Sequence, residues 1–244
     1  MRTTTFVFAF VLSVSGLAAA QELTEYQSTR DGFKITFPGP PTVADITWTS
    51  QQGYKLPGRV YSLDQGRAHY SVTVADYSGI EQMAIERVKT CPAGAPVCNG
   101  NALTGIGYWK HDVRGAEFFA TLKFLQHDAK VTDLTWSQHD LVEGNELQLL
   151  NADQSRTYAY VAMHEMKLYI VEATVPKGYP PATLFQTSMG WVDKDGNGIR
   201  YQTMYNNEFH GMRQYPVPPH AGAAGAGRAA GAGPQGRDGG AGGR

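Results

Sequence analysis

The chain lacks every short motif that would name a chemistry outright. It contains no G-x-S-x-G, no S-x-x-K, no H-E-x-x-H and no Walker loop, so serine acyl transfer, zinc hydrolysis and P-loop nucleotide binding have no local signature to stand on. A triad assembled from distant positions leaves no such motif, so an enzyme is disfavoured rather than excluded. Basic excess is missing too. Lys and Arg total 21 against 22 Asp and Glu, a formal charge of −1, and a nucleic-acid surface needs clustered positive charge. After the first twenty residues no stretch approaches 18 consecutive apolar residues, so no membrane span is expected in the mature chain. Cysteine is almost absent, with Cys91 and Cys98 the only two in 244 residues.

What is present begins with an export signal. Arg2 gives a positive start, Phe6 to Leu12 an apolar core that continues through Val14 and Leu17, and Ala18-Ala19-Ala20 a small-residue cleavage site before Gln21. These are the three parts of a secretory signal peptide, and the apolar stretch is shorter than the ~20 residues that a spanning helix needs. Residues 1–20 are therefore read as removed, residues 21–215 as one domain, and residues 216–244 as a tail. Removing Arg2 shifts the formal charge from −1 to −2. No Cys follows the cleavage site, which closes the diacylated lipoprotein route and leaves a periplasmic or secreted product. In that oxidising compartment Cys91 and Cys98, spaced C-x6-C around Pro92, Gly94 and Pro96, are read as one disulfide closing a short loop. The chain-entropy model makes such a bridge worth about 2–3 kcal/mol. A redox site would want C-x-x-C and a zinc site more ligands.

Periodicity outlines the domain. Phe33 to Phe37 alternates strictly between the Asp31-Gly32 turn and Pro38-Gly39-Pro40-Pro41, the pattern of a half-buried strand. Val43 to Trp48, Arg59 to Leu63 and Tyr70 to Tyr77 read as further strands, with Gln65-Gly66 turning between the last two. Ile80, Met83, Ala84 and Val88 mark a short helix. Ile106, Trp109, Val113, Ala116, Ala120 and Phe124 mark a longer one, although Phe118, Ala120, Leu122 and Phe124 would also suit a strand. Four strands then follow, at Val131 to Trp136, Glu146 to Leu150, Arg156 to Met163 and Lys167 to Ala173. Their expected turns are Glu143-Gly144-Asn145, Asn151 to Gln154 and His164 to Met166. Ala182 to Trp191 reads as a last helix burying Leu184, Phe185 and Met189, and Ile199 to Tyr205 as a closing strand. The sum is an α+β domain with helices packed on antiparallel sheet. From Ala221 onward no residue larger than Ala is aromatic or aliphatic, a composition that cannot offset its ordering entropy and implies a disordered tail. The G-x-G-x-x-G within it, at Gly231, Gly233 and Gly236, lacks the strand and helix that a dinucleotide fingerprint requires.

The Gly32 to Pro41 stretch, the paired strands, the meander and the late helix resemble the PsbP/Mog1-type α+β sandwich. Gly178 through Leu184-Phe185-Gln186 to Trp191 and Arg200-Tyr201-Gln202 resembles a group of small uncharacterised exported bacterial proteins. The resemblance implies a fold used mainly for binding and assembly and brings no catalytic residues with it.

Two constellations are candidate sites. Asp193-Lys194-Asp195-Gly196-Asn197-Gly198 places oxygen ligands Asp193, Asp195 and Asn197 at positions 1, 3 and 5 and Gly at position 6, as an EF-hand calcium loop requires. Position 12 is Met204 instead of the bidentate Glu, so a tight turn is the favoured reading, since Gly and Asn tolerate positive φ. Four histidines adjoin acids, at His111-Asp112, His127-Asp128, His139-Asp140 and His164-Glu165. Sequence neighbours face apart in both strand and helix, so each pair supplies one ligand at best, and the turn positions of His127 and His164 suggest solvated side chains. Four Trp and 13 Tyr are expected mostly in the core, with any surplus lining a groove. The leading expectation is a non-catalytic exported domain that binds or helps assemble another envelope or secreted component, without cofactor. A secreted enzyme, such as a hydrolase built from dispersed His and acidic residues, is one alternative, and a calcium-stabilised structural protein is another.

Overall fold

The computed structural model describes residues 23–90, Pro92 and residues 108–205. Residues 1–20, read above as a signal peptide, the expected Cys91–Cys98 disulfide and residues 216–244 lie outside these residues. Seven antiparallel strands form the main sheet. β3 (Thr42–Thr49), β4 (Lys55–Gln65) and β5 (Ala68–Asp76) run consecutively from one edge. α1 (Ile80–Thr90) and α2 (Trp109–Leu125) then cross over, and a meander of β6 (Ala129–His139), β7 (Val142–Asn151), β8 (Arg156–His164) and β9 (Lys167–Val175) returns inward. β9 docks on β5, giving the order β3-β4-β5-β9-β8-β7-β6. The α+β class is as expected, and the longer helical pattern is a helix over Trp109–Leu125, where burial of Trp109, Val113, Ala116, Ala120 and Phe124 follows the 3.6-residue period.

Strand alternation divides the core between the two faces of the sheet. One face carries Leu56, Ala75, Leu147, Val161, Leu168 and Ile170 and is covered by α1 and α2. The other carries Tyr61, Val72, Tyr158, Tyr160, Tyr169 and Val171. It is covered by a small sheet of β1 (Thr24–Ser28), β2 (Phe33–Phe37) and β10 (Gly190–Trp191), together with α3 (Thr183–Thr187). Phe33, Ile35 and Phe37 all point inward from β2, and Trp191 of β10 pairs in register with Phe33.

Four expectations are corrected. The β6–β7 turn falls at Asp140-Leu141, both at positive φ (48° and 63°), while Glu143-Gly144-Asn145 lies inside β7. Gly144 is there for a close approach: a Cβ would stand 2.4 Å from the Val161 carbonyl oxygen and 2.8 Å from the Tyr160 ring. The helix proposed for 182–191 is only Thr183–Thr187, because Gly190 and Trp191 extend along β2, and Leu184 is 53% exposed whereas Phe185 and Met189 are buried. No strand spans Ile199 to Tyr205. That segment is tied down by two isolated bridges, Val192 to Gly198 and Val142 to Tyr205. His164 ends β8 and is 1% exposed, not solvated.

The outer strand β6 carries a bulge, with a register shift between Val131 and Asp133. Because a strand alternates every residue, this extra residue brings Val131, Leu134 and Trp136 to one face, opposite Leu149, Leu147 and Asn145 of β7. All three are exposed, Trp136 at 58%.

Candidate functional site

The described residues scatter the histidine–acid pairs. His111 is exposed on α2 while Asp112 is buried and binds back to the loop before β4, accepting from the Ser50 hydroxyl and from Gln52 N–H at 3.2 Å. His139 is buried on the other face of the sheet. Its Nε2 lies 2.9 Å from Glu146 Oε1 and its ring stacks on Tyr160 at 3.7 Å, and burial pushes its pKa down although Glu146 opposes this. His164 Nε2 pairs with the Tyr201 hydroxyl at 2.6 Å, and its ring packs 4.4 Å from that of Trp191. Burial, aided by the Lys167 charge, takes its pKa down to about 3. His127 is exposed just past α2. These histidines fill the core or face solvent separately, and among the described residues no three His, Cys, Asp or Glu side chains are placed to share a metal.

The Asp193 segment is a turn closed on its own backbone. Asp193 Oδ1 accepts from Asp195 N–H and Asn197 N–H, both at 2.9 Å, and Lys194 pairs with Asp195 at 2.8 Å. The backbone donors of Asn197 and Asp195 hold the Asp193 carboxyl below the usual carboxylate range. Asp193, Asp195 and Asn197 are therefore adjacent, with one carboxylate engaged by backbone N–H groups and another by a lysine.

Two acidic residues that the sequence patterns did not single out have opposite surroundings. Asp31, between β1 and β2, is fully buried. Arg59 Nε donates to its Oδ2 at 2.6 Å, the second Arg59 nitrogen donates to Oδ1, and the Tyr61 hydroxyl also donates to Oδ2. Ser28 bonds Tyr61 at 2.8 Å, and Lys167 stands 3.9 Å away. Burial alone would raise the Asp31 pKa, but the hydrogen bonds from Arg59 and Tyr61 and the charges of Arg59 and Lys167 hold it below the ordinary value. Burial, and after it the Asp31 carboxylate, pushes the Tyr61 hydroxyl up to about 12 against the opposing hydrogen bonds of Ser28 and Arg59.

Glu172 is the contrast. It sits mid-strand in β9 between Ser71 of β5 and Ala159 of β8, on the face that α2 covers. There it opens into a cleft of about 190 Å³ with Trp48, Lys123, Phe124, His127 and Ile170. Among the described residues no hydrogen bond or ion pair reaches its carboxylate. Burial raises its pKa, against the opposing pull of His69 and His127. His69 itself is paired with Asp64 at 2.6 Å. Lys123 enters from the last turn of α2, where the helix dipole favours a cation. Its Nζ stands 3.7 Å from the Trp48 ring centroid and 4.7 Å from that of Phe119, and burial lowers its pKa. Trp48 is fixed in turn by donating Nε1–H to the Tyr77 hydroxyl at 3.2 Å. The cleft thus holds one carboxylate and one ammonium over an apolar floor, neither with an ionic partner from the described chain. One sequence signal pointed here: Glu172 interrupts the apolar run Leu168–Val175, and a charge in a central strand is seldom buried without a reason.

No helix among the described residues is long and apolar enough to cross a membrane. No family model matches this chain, and no curated protein does. Among solved structures it is similar to the solution structure of cyanobacterial PsbP (CyanoP) from Synechocystis sp. PCC 6803. The identity is 15%, the TM-score 0.34, and the match covers 68% of this chain and 87% of that one. No residue role is taken from this likeness.

Proposed function

We propose that the mature chain is an exported, non-catalytic domain that binds another component of the envelope or secreted space, with the cleft beneath the end of α2 as its binding site. The observation that carries this reading is the pair Glu172 and Lys123, two charged groups in one concavity that find no ionic partner among the described residues. Desolvating a charge is costly unless something pairs with it. A ligand carrying complementary groups would offset that cost, which makes the cleft receptive. The non-catalytic part is supported by His139 and His164, which are buried in side-chain packing. Export is supported by the pattern of residues 1–20. Cell fractionation tests it: the chain should accumulate outside the cytoplasm with Gln21 as its first residue, and a cytoplasmic, unprocessed chain would refute it.

A secreted hydrolase is the second reading, favoured by one observation: Glu172 and exposed His127 line the same cleft, and a carboxylate with raised pKa beside an imidazole is general acid–base vocabulary. Assaying the purified chain against chromogenic ester and glycoside panels separates the two. Turnover abolished by Glu172→Gln would establish the enzyme, and its absence together with saturable ligand binding supports the binding domain.

A further inference from the structure

The chemistry lining the cleft restricts what can occupy it. A ligand with only a cation would satisfy Glu172 and leave the Lys123 ammonium desolvated, and a ligand with only an anion would do the reverse. An apolar ligand would satisfy neither. The volume of about 190 Å³ lies below the roughly 300–1,000 Å³ of pockets for drug-sized molecules, so the part of a ligand that the cleft holds is small. Lys123 is seated on the Trp48 ring, a contact that places its charge through the ring face and leaves its N–H donors for an incoming acceptor. Ile170, Phe124 and Ala120 supply an apolar surface within the same cleft.

We propose that this cleft binds a free aliphatic α-amino acid as its zwitterion, the ammonium meeting the Glu172 carboxylate, the carboxylate meeting the Lys123 ammonium, and the side chain resting on Ile170 and Phe124. The assignment rests on the binding-domain reading and names its ligand class. Binding must strengthen as pH rises through the titration of Glu172, whose carboxylate has to be ionised to hold an ammonium. The other groups facing Glu172 are His127 beyond α2, His69 of β5 and Lys123 of α2. His127 is exposed at the cleft, and His69 is engaged by Asp64.

Calorimetric titration of the full chain with leucine, isoamylamine and isocaproate tests this, because the three share an aliphatic body and differ only in charge. Leucine should bind at least tenfold more tightly than either analogue. Glu172→Gln and Lys123→Gln should each weaken leucine at least tenfold, while Lys123→Gln leaves isoamylamine unchanged and Glu172→Gln leaves isocaproate unchanged. An analogue that binds as tightly as leucine overturns the zwitterion and keeps the cleft as a binding site. Silence from all three probes removes both. Should Lys123→Gln lose its fold, Lys123→Met keeps the stem over Trp48, and the same tenfold loss is expected.

Discussion

Asp31 and Glu172 belong to opposite faces of the same sheet, and their surroundings separate a carboxylate used to hold the fold from one left available. Around Asp31 the chain supplies a guanidinium, a phenol and a nearby ammonium, so the charge is fully matched and joins the small sheet to β4. Around Glu172 it supplies apolar floor and two histidines that only act at a distance. A buried charge that is paired resists removal, because its partner is then left uncompensated. A charge without a partner can be neutralised at little cost to the fold.

The largest expected effect breaks the paired side. Asp31→Ala leaves the Arg59 guanidinium uncompensated and should cost about 3–5 kcal/mol, read as a lower urea midpoint. A loss below about 1 kcal/mol would show the contrast with Glu172 to be false. Next comes pH. The His164 pKa is depressed to about 3 in the fold against about 6.5 unfolded, so its contribution is intact above pH 6.5 and declines as pH falls towards 3. In that window His164 should remove about 1.4 kcal/mol per pH unit, so His164→Gln should change the slope by that amount. Glu117 acts against it, since burial pushes its carboxyl up to about 8 and it stabilises the fold as pH falls. Asp31, depressed from a lower starting value, adds its loss only below about pH 4. Wild-type and His164→Gln titrations with the same slope between pH 6.5 and 4 would overturn the assignment.

Smaller again is Asp193→Ala, which removes a carboxylate accepting backbone N–H groups in an exposed turn and should lower the melting temperature only slightly. Millimolar calcium should leave the melting temperature unchanged, since that carboxylate is already engaged. A calcium-dependent rise lost in Asp193→Ala would instead establish the calcium-stabilised reading. The smallest stability change is expected at Glu172→Gln, within about 0.5 kcal/mol and not destabilising, because the raised carboxyl pKa means that ionised Glu172 works against the fold at neutral pH. If this variant instead unfolds the chain, Glu172 is a structural residue like Asp31.

The strands of the main sheet, β2 and both long helices were legible because alternation and 3.6-residue spacing are imposed locally by which side faces the core, whereas β1 went unread and β10 was read as helix. The Asp140-Leu141 turn was not, since nothing in a non-glycine pair announces positive φ, while Gly144 announced a turn and was needed for a tertiary approach. His164 misled for a similar reason: its neighbour Glu165 is in the turn, but Trp191, 27 residues on, encloses the imidazole. The cleft was hidden more deeply. Trp48, Lys123 and Glu172 come from β3, α2 and β9, and only the crossover that puts β9 beside β5 brings them together. The lone acid in β9 was visible, but its lack of a partner depends on packing.

The bulge in β6 sets how the molecule behaves when crowded. An unbroken edge of Ala129–His139 bearing Trp136 and Leu134 would template strand addition along its whole length, chain after chain. The register shift at Thr132 cuts it into Ala129–Val131 and Asp133–His139 and twists the two pieces apart. The longest flat ribbon another molecule could zip onto is thereby shortened, and the same residue that gathers the apolar side chains on one face hinders their spread into a fibril.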